Sequence, residues 1–358
     1  MARRRKRGRP VHGILLLDKP AGMSSNQALQ KARRLLDAQK AGHTGTLDPL
    51  ATGMLPLCFG EATRLSSHLL AAEKAYETTL VLGVQTHSAD ADGELIAEQS
   101  IPAELDRDRF EAICAGFRGE QLQVPPMVSA LKRNGKRLYE LARQGVEVER
   151  EPRRVTIDEL EVLAFSVLDD TRSPGSVSAR LRVRCSKGTY IRSLVSDIGD
   201  VIGCGAHVAA LRRLYVEPFS TAAEGDSRQG EGGSRRGEMV TLAALEAIDK
   251  LADREALLLP PEAGLDYLAA VEIDAASAVC FGNGQVVAAT GVAEPAAGEA
   301  AAAANASLGM VDGAIVRVYQ VASGAAEGHS RRFLGLGAVA KTGRSGLRIA
   351  PRKVMQWD

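Results

Sequence analysis

The sequence predicts a mixed α/β fold followed by a small β-rich C-terminal domain. Three observations carry this. Residues 179–185 alternate, with Leu181, Val183 and Cys185 on one side and Arg180, Arg182 and Arg184 on the other, as in a strand with one buried face. Just after Lys187-Gly188, residues Ile191, Leu194, Val195, Ile198 and Ile202 fall at helical spacing. Strand-like and helix-like runs then interleave irregularly along the chain, which argues against a strict βαβ repeat.

The remaining elements follow in order. Residues 13–18 (GILLLD) form a short apolar run before Lys19-Pro20, a buried strand and a turn. Ser24 and Ser25 offer N-caps for a helix over 26–36, with Leu29, Ala32 and Leu36 on one face. Residues 41–53 (AGHTGTLDPLATG) hold three glycines and one proline in 13 positions and predict a loop with no regular element. Tyr76, Thr78, Leu80, Leu82 and Val84 share one face of a strand. Residues 224–238 contain five glycines in 15 positions and no large apolar side chain, so a flexible insert is expected there. Nine of the 14 residues 293–306 are alanine, which reads as a surface insertion. Residues 314–321 and 333–339 are strand-like, and Phe281-Gly-Asn-Gly284 signals a turn between strands.

Composition narrows the function classes. A chain of 358 residues suggests two or three domains. Lys and Arg number 45 against 44 Asp and Glu, so any polyanion site must be a local patch. Five scattered cysteines with no CxxC pair argue against a zinc ribbon or a disulfide framework and suit a reducing cytoplasm. No apolar run approaches the roughly 18 residues of a membrane span. Residues 1–10 (MARRRKRGRP) read as a disordered basic arm. The six histidines show no metal-ligand spacing, and neither HExxH nor a Walker A motif is present.

The loop around Asp48 is the most informative stretch. Composition alone reads Asp48 as a turn aspartate before Pro49. A carboxylate nucleophile would need a rigid loop, an apolar wall and a cationic partner to keep it ionised. Leu47, Leu50, Met54 and Leu55 supply the wall. Arg192, in the first turn of the helix after Lys187-Gly188, is a candidate partner because an arginine there opposes the helix dipole. Tyr76 and Tyr190 become stacking candidates only if they lie beside Asp48. Residues 125–154 carry eight Lys and Arg against four Glu, the local surplus that phosphate contacts require.

Six segments in order are similar to those of one family: GILLLDKPAGMSSN (13–26), AGHTGTLDPLATGMLPLCFGEATR (41–64), KAY (74–76), PPMVSALKRNGKRLYELARQGVEV (125–148), CSKGTYIRSLVSDIG (185–199) and GCGAHVAALRRL (203–214). Together they resemble the bacterial TruB-type pseudouridine synthases. FGNGQVV (281–287) and LRIAPRKVM (347–355) resemble, more loosely, the PUA-type RNA-binding domain such enzymes carry. The resemblance implies a mainly antiparallel sheet with flanking helices. It divides the chain into a basic arm (1–10), a catalytic domain (11–221) with an RNA-gripping insert (125–154), an insert and linker region (222–268) and a PUA-like domain (269–358).

The resemblance further implies conversion of a T-loop uridine of tRNA, position 55, to pseudouridine by base flipping, with no cofactor. The expected partner is the T arm of tRNA, with no membrane, no guide RNA and a monomeric enzyme. By the same resemblance Asp48 is the nucleophile and Arg192 pairs with it; the guanidinium fork suits a two-pronged grip on the carboxylate. Tyr76 stacks on the target uracil and is the third catalytic residue. Tyr190 and Leu211 wall the uridine pocket, and His43 fills the space left by the extruded nucleotide. Lys19 and Pro20 brace the loop. Lys132, Arg133, Lys136, Arg137 and Arg143 hold the RNA backbone.

Overall fold

A computed structural model describes residues 8–357 except 71, 130, 134, 143, 168–176, 221–234, 294–310, 322–330 and 344–345. Most of the basic arm, Arg143, most of the insert 224–238 and nearly all of the alanine-rich stretch 293–306 lie outside the described residues.

Strand β1 (Gly13–Lys19) leads to helix α1 (Ser25–Leu35), short strand β2 (Ala41–His43) and strand β3 (Thr52–Phe59). Helix α2 (Ser66–Leu70), β4 (Lys74–Leu82) and the hairpin β5 (Val84–Thr86) with β6 (Leu95–Glu98) follow. Next come α3 (Arg107–Ala115), β7 (Gly119–Gln123), the hairpin β8 (Lys132–Arg133) with β9 (Lys136–Arg137), and α4 (Leu138–Ala142). Then come β10 (Arg153–Val167), β11 (Val177–Cys185), α5 (Ile191–Ile202), β12 (Ala206–Val216), β13 (Phe219–Ser220), β14 (Arg235–Arg236) and β15 (Val240–Thr241). Helices α6 (Leu242–Ala247) and α7 (Leu251–Glu255) precede a second sheet. That sheet holds β16 (Ala270–Ile273), β17 (Val287–Ala288), β18 (Gly291–Ala293), β19 (Ile315–Gln320), β20 (Arg332–Gly343) and β21 (Gly346–Val354), with α8 (Ala275–Gly282) between β16 and β17.

The first sheet runs β15-β1-β3-β12-β4-β11-β10-β7. Its pairings are antiparallel apart from β1–β15, β3–β12 and the short β13–β14 pair. The predicted mixed α/β class therefore holds, with a mostly antiparallel sheet. The alternation of β11 explains its place: Val177, Ala179, Leu181, Val183 and Cys185 are buried, whereas the arginines between them face out to Glu77, Glu159 and Glu161. Helix α1 starts at a capping box, with Ser24 accepting from the Gln27 N–H and Gln27 reaching back. Helix α5 ends on Gly203, whose φ of 88° suits glycine. Its stripe of Ile191, Leu194, Val195 and Ile198 joins Leu80, Leu82, Leu181 and Val208 in the main core.

Three expectations change. Residues 41–43 pair with β3 despite Gly42, because ladder pairing uses only backbone groups. Residues 240–247, within the expected linker, are built into the first domain: β15 pairs with β1 and α6 buries Leu242 and Leu245 in its core. Residues 275–282 form a helix capped by Asp274, and the Phe281–Gly284 signal ends that helix rather than turning a hairpin.

The second sheet, β17-β21-β20-β19-β16-β18, has its own core around Val271, Phe281, Val318 and Ile349. It is fastened to the first domain. Leu65 packs with Leu265, Phe333, Leu336 and Met355, and Lys353 Nζ donates to the Arg64 carbonyl at 2.7 Å and to Ser67 Oγ at 2.9 Å. The Gln356 N–H donates to Glu61 Oε2 at 3.0 Å.

Candidate active site

The loop between β2 and β3 is rigid because its neighbours tie down its backbone. Ser25 Oγ donates to the Leu47 carbonyl at 2.9 Å and accepts from the Leu47 N–H at 2.7 Å. The Thr44 N–H reaches the Pro56 carbonyl and the Gly22 N–H the Pro49 carbonyl, at 3.1 and 2.8 Å. Lys19, fully buried, spends its ammonium on the carbonyls of Pro20, Met23 and Pro49 at 2.8, 2.6 and 3.3 Å. This ties Lys19 to the loop at Pro49, whereas Pro20 is exposed and joins only through its carbonyl. Burial pushes the Lys19 ammonium down to about 8, against the pull of Asp48 and with the push of Arg213.

Asp48 sits at the apex of this loop with its side chain one-third exposed. The structure brings Arg192 to it, Nε lying 2.9 Å from Asp48 Oδ2. The guanidinium is 3 % exposed, and its other two nitrogens donate to backbone carbonyls, Nη1 to Ser88 and Nη2 to Val128, both at 2.7 Å. The two-pronged grip on the carboxylate is thus corrected: one nitrogen meets Asp48 and two anchor the arginine. Asp90, itself buried, brings Oδ2 to 3.6 Å of the same Nε. Burial raises the Asp48 pKa; Arg192 opposes that most strongly, Asp90 adds to it, and Lys19 opposes it. The arginine therefore offsets the burial without overcoming it.

Tyr76 is 7 % exposed on β4, and burial raises its phenol pKa while the adjacent Arg213 lowers it. Tyr190 is the N-cap of α5, half-buried, with its N–H and carbonyl both bonded to the Gln123 side-chain amide. Leu211 and Leu50 line an open cleft of about 490 Å³ with Gly22, Thr78 and Arg212; neither tyrosine lines it. His43 is partly buried, and its Nδ1 has no hydrogen-bond partner among the described residues. Burial holds the His43 imidazole below its usual pKa, and Arg213 and Arg137 add to that. Arg137 belongs to the β8–β9 hairpin, so the basic insert reaches this site. Lys132, Arg133, Lys136 and Arg137 are exposed on that hairpin. The described residues contain no cluster of metal-ligating side chains.

Sequence reasoning missed three groups. Asp90 stands in a short acidic turn with no local mark of its role. Lys74 is buried beside the site, held down to about 8 by burial and by Arg213. Arg213 is 1 % exposed and occupies a buried phase of β12, where a basic residue among Leu211, Tyr215 and Val216 was a readable anomaly.

Residues 33–191 match the family model for the TruB family pseudouridylate synthase N-terminal domain, and residues 192–266 match the tRNA pseudouridylate synthase B C-terminal domain. The chain belongs to the TruB family. Similar curated proteins are the tRNA pseudouridine synthase B of Pseudomonas fluorescens (strain Pf0-1), 46% identical with 99% of each chain covered. That of Dechloromonas aromatica (strain RCB) is 52% identical over 77% of this chain and 84% of the relative. Among solved structures, a Cbf5-Nop10-Gar1 complex matches with a TM-score of 0.59 at 24% identity, covering 96% of this chain and 85% of that one. That likeness is one of fold. Asp48 lies within the segment matched by the first family model, and Arg192 begins the segment matched by the second.

Proposed function

We propose that this enzyme isomerises uridine 55 in the T loop of tRNA to pseudouridine, with Asp48 as nucleophile. One observation carries the reading: the Asp48 carboxylate, on a braced loop, is held 2.9 Å from a buried arginine whose next carboxylate among the described residues is Asp90 at 3.6 Å. The coarser activity, conversion of a tRNA uridine to pseudouridine, follows the names of relatives that match 99% of the chain.

The chemistry suits these residues. Breaking the N1–C1′ bond and rejoining through C5 is an isomerisation, so neither electrons nor water enter the balance. A T-loop uridine is folded into tertiary structure and must be everted, at a cost of a few kcal/mol. Stacking on an aromatic ring returns about 1–3 kcal/mol per base, the role of Tyr76. Tyr190 and Leu211 close the pocket, and His43 occupies the space the nucleotide leaves. Asp48 attacks C1′ or the uracil ring; Arg192 keeps it anionic against its burial. Lys132, Arg133, Lys136 and Arg137, with Arg143, engage phosphates and set the register of the arm. The second sheet serves as the PUA-like RNA-binding domain. The protein acts alone on tRNA, as a monomer, without guide RNA.

The test is direct. Purified protein is incubated with an unmodified tRNA transcript and nothing else, and pseudouridine is mapped by carbodiimide-stop sequencing. A stop at position 55 is expected. A stop elsewhere in the tRNA refutes the position, and no stop without added RNA refutes the stand-alone reading.

A further inference from the structure

Arg213 is buried to 1 % exposure at the junction of three strands. In register it lies opposite Gly53 of β3 on one side and Tyr76 of β4 on the other. Its Nε donates to the Met54 carbonyl at 2.7 Å, on the strand that leaves the Asp48 loop. Its Nη1 lies beneath Gly45 of that loop: a Cβ built on Gly45 would sit 3.6 Å from it. A Cβ on Gly53 would sit 2.1 Å from the Arg213 carbonyl, so only glycine lets the strands approach this closely. The guanidinium forms no ion pair among the described residues, and its Nη2 has no hydrogen-bond partner. A buried cation with an idle donor is costly unless something uses it. The neighbour placed to use it is Tyr76, its partner across the β12–β4 ladder, whose phenol pKa the guanidinium lowers.

We propose that Arg213 is a positioning residue for Tyr76, gripping the phenol oxygen from beneath and registering the ring against the Asp48 loop. The inference rests on the reading of Tyr76 as the wall on which the everted uracil stacks. The rigid fork of an arginine suits the task because one nitrogen holds Met54 while another takes the phenol; a single ammonium cannot do both. A charge-assisted bond of this kind is roughly twice as strong as a neutral one. Lys19 and Lys74, both buried nearby, face the same group and share its lack of ion pairs among the described residues.

The experiment uses the full chain with Arg213→Met, Arg213→Lys and Arg213→Gln. Single-turnover conversion of tRNA transcript, tRNA affinity by filter binding, and the ring-carbon NMR signal of 13C-tyrosine at Tyr76 (assigned with Tyr76→Phe) are measured. Arg213→Met is expected to slow conversion about 100-fold, with tRNA affinity within about threefold, because a small misplacement at the reacting base costs that much. The Tyr76 signal should move and the phenol should titrate higher. Arg213→Lys should restore the titration but only part of the rate. A rate within about threefold of wild type in Arg213→Met overturns the proposal, as does a Tyr76 signal that stays put while the rate falls. If Arg213→Met does not fold, Arg213→Gln and Arg213→Lys carry the same readouts. Failure of the wild-type chain to make pseudouridine would refute the reading of the reaction instead, and the Tyr76 titration would still judge Arg213.

Discussion

Arg192 meets Asp48 through a single nitrogen, Nε, while Nη1 and Nη2 are committed to the carbonyls of Ser88 and Val128. The arginine is thus a three-way clasp between the proposed nucleophile, the turn after β5 and the first residues of the basic insert. Lysine has one nitrogen and no planar fork, so it cannot satisfy three directions. Arg192→Lys is expected to lower the single-turnover rate roughly 100-fold or more, with tRNA affinity little changed. A near-normal rate would show that charge alone is enough.

Asp48→Asn keeps the shape of the loop, since the loop is braced through Ser25, Lys19 and backbone groups rather than through the carboxylate. It removes the proposed nucleophile. The variant should bind tRNA with an affinity within about threefold of wild type, because phosphate contacts dominate affinity, and yield no pseudouridine. Substantial turnover by purified Asp48→Asn would remove the proposed chemistry.

The acid side of the pH profile reports on Asp48. In the proposed mechanism only its ionised form attacks, and its pKa is raised, by burial first and by Asp90 in addition, against the opposing pull of Arg192. Activity should therefore rise with pH through a limb above the ordinary carboxylate range. Asp90→Asn removes the like charge and should shift that limb to lower pH, even if the plateau falls because Arg192 is less well seated. A limb that stays in place or moves up would contradict the assignment.

Much of this was legible. The β11 alternation, the α5 stripe and the glycine-rich loop each announce themselves over a few residues, and Asp48 and Arg192 lie in the segments that carry the family resemblance. The reason Arg192 matters was not legible, because two of its partners are backbone carbonyls, which no side-chain motif encodes. Asp90 reaches the site only through the turn after β5. Arg213 hides beside the exposed-phase Arg212, which is paired with Asp18. Helix α6 carried a readable Thr241 cap, but the glycine-rich residues before it drew the whole stretch into an expected linker.

On the alkaline side Lys19 sets the limit. Its three N–H groups serve three carbonyls, and its pKa of about 8 means that it loses a proton, and with it one donor and the charge near Asp48, as pH rises past that value. Activity should fall above about pH 8. Lys19→Met should be slow throughout and lack that fall. An unchanged alkaline limb in Lys19→Met would assign it to another group.

Beside the second sheet lies a buried ion pair that the proposed chemistry does not use. Arg317 Nη1 on β19 lies 2.6 Å from Asp266 Oδ1, at the end of the segment matched by the C-terminal family model, and both side chains are about nine-tenths buried. Arg317 Nε also donates to the Leu268 carbonyl at 3.0 Å. Removing one partner of such a pair strands the other charge, which costs about 3–5 kcal/mol, whereas replacing both by apolar side chains is often neutral. Asp266→Ala should therefore lower the thermal midpoint of the full chain clearly, and Asp266→Leu combined with Arg317→Met should recover most of the loss. Because neither residue approaches Asp48, single-turnover rates at low temperature should stay near wild type in both variants. A large loss in the double variant would mean that the pair supplies net stability rather than merely tolerating its own burial.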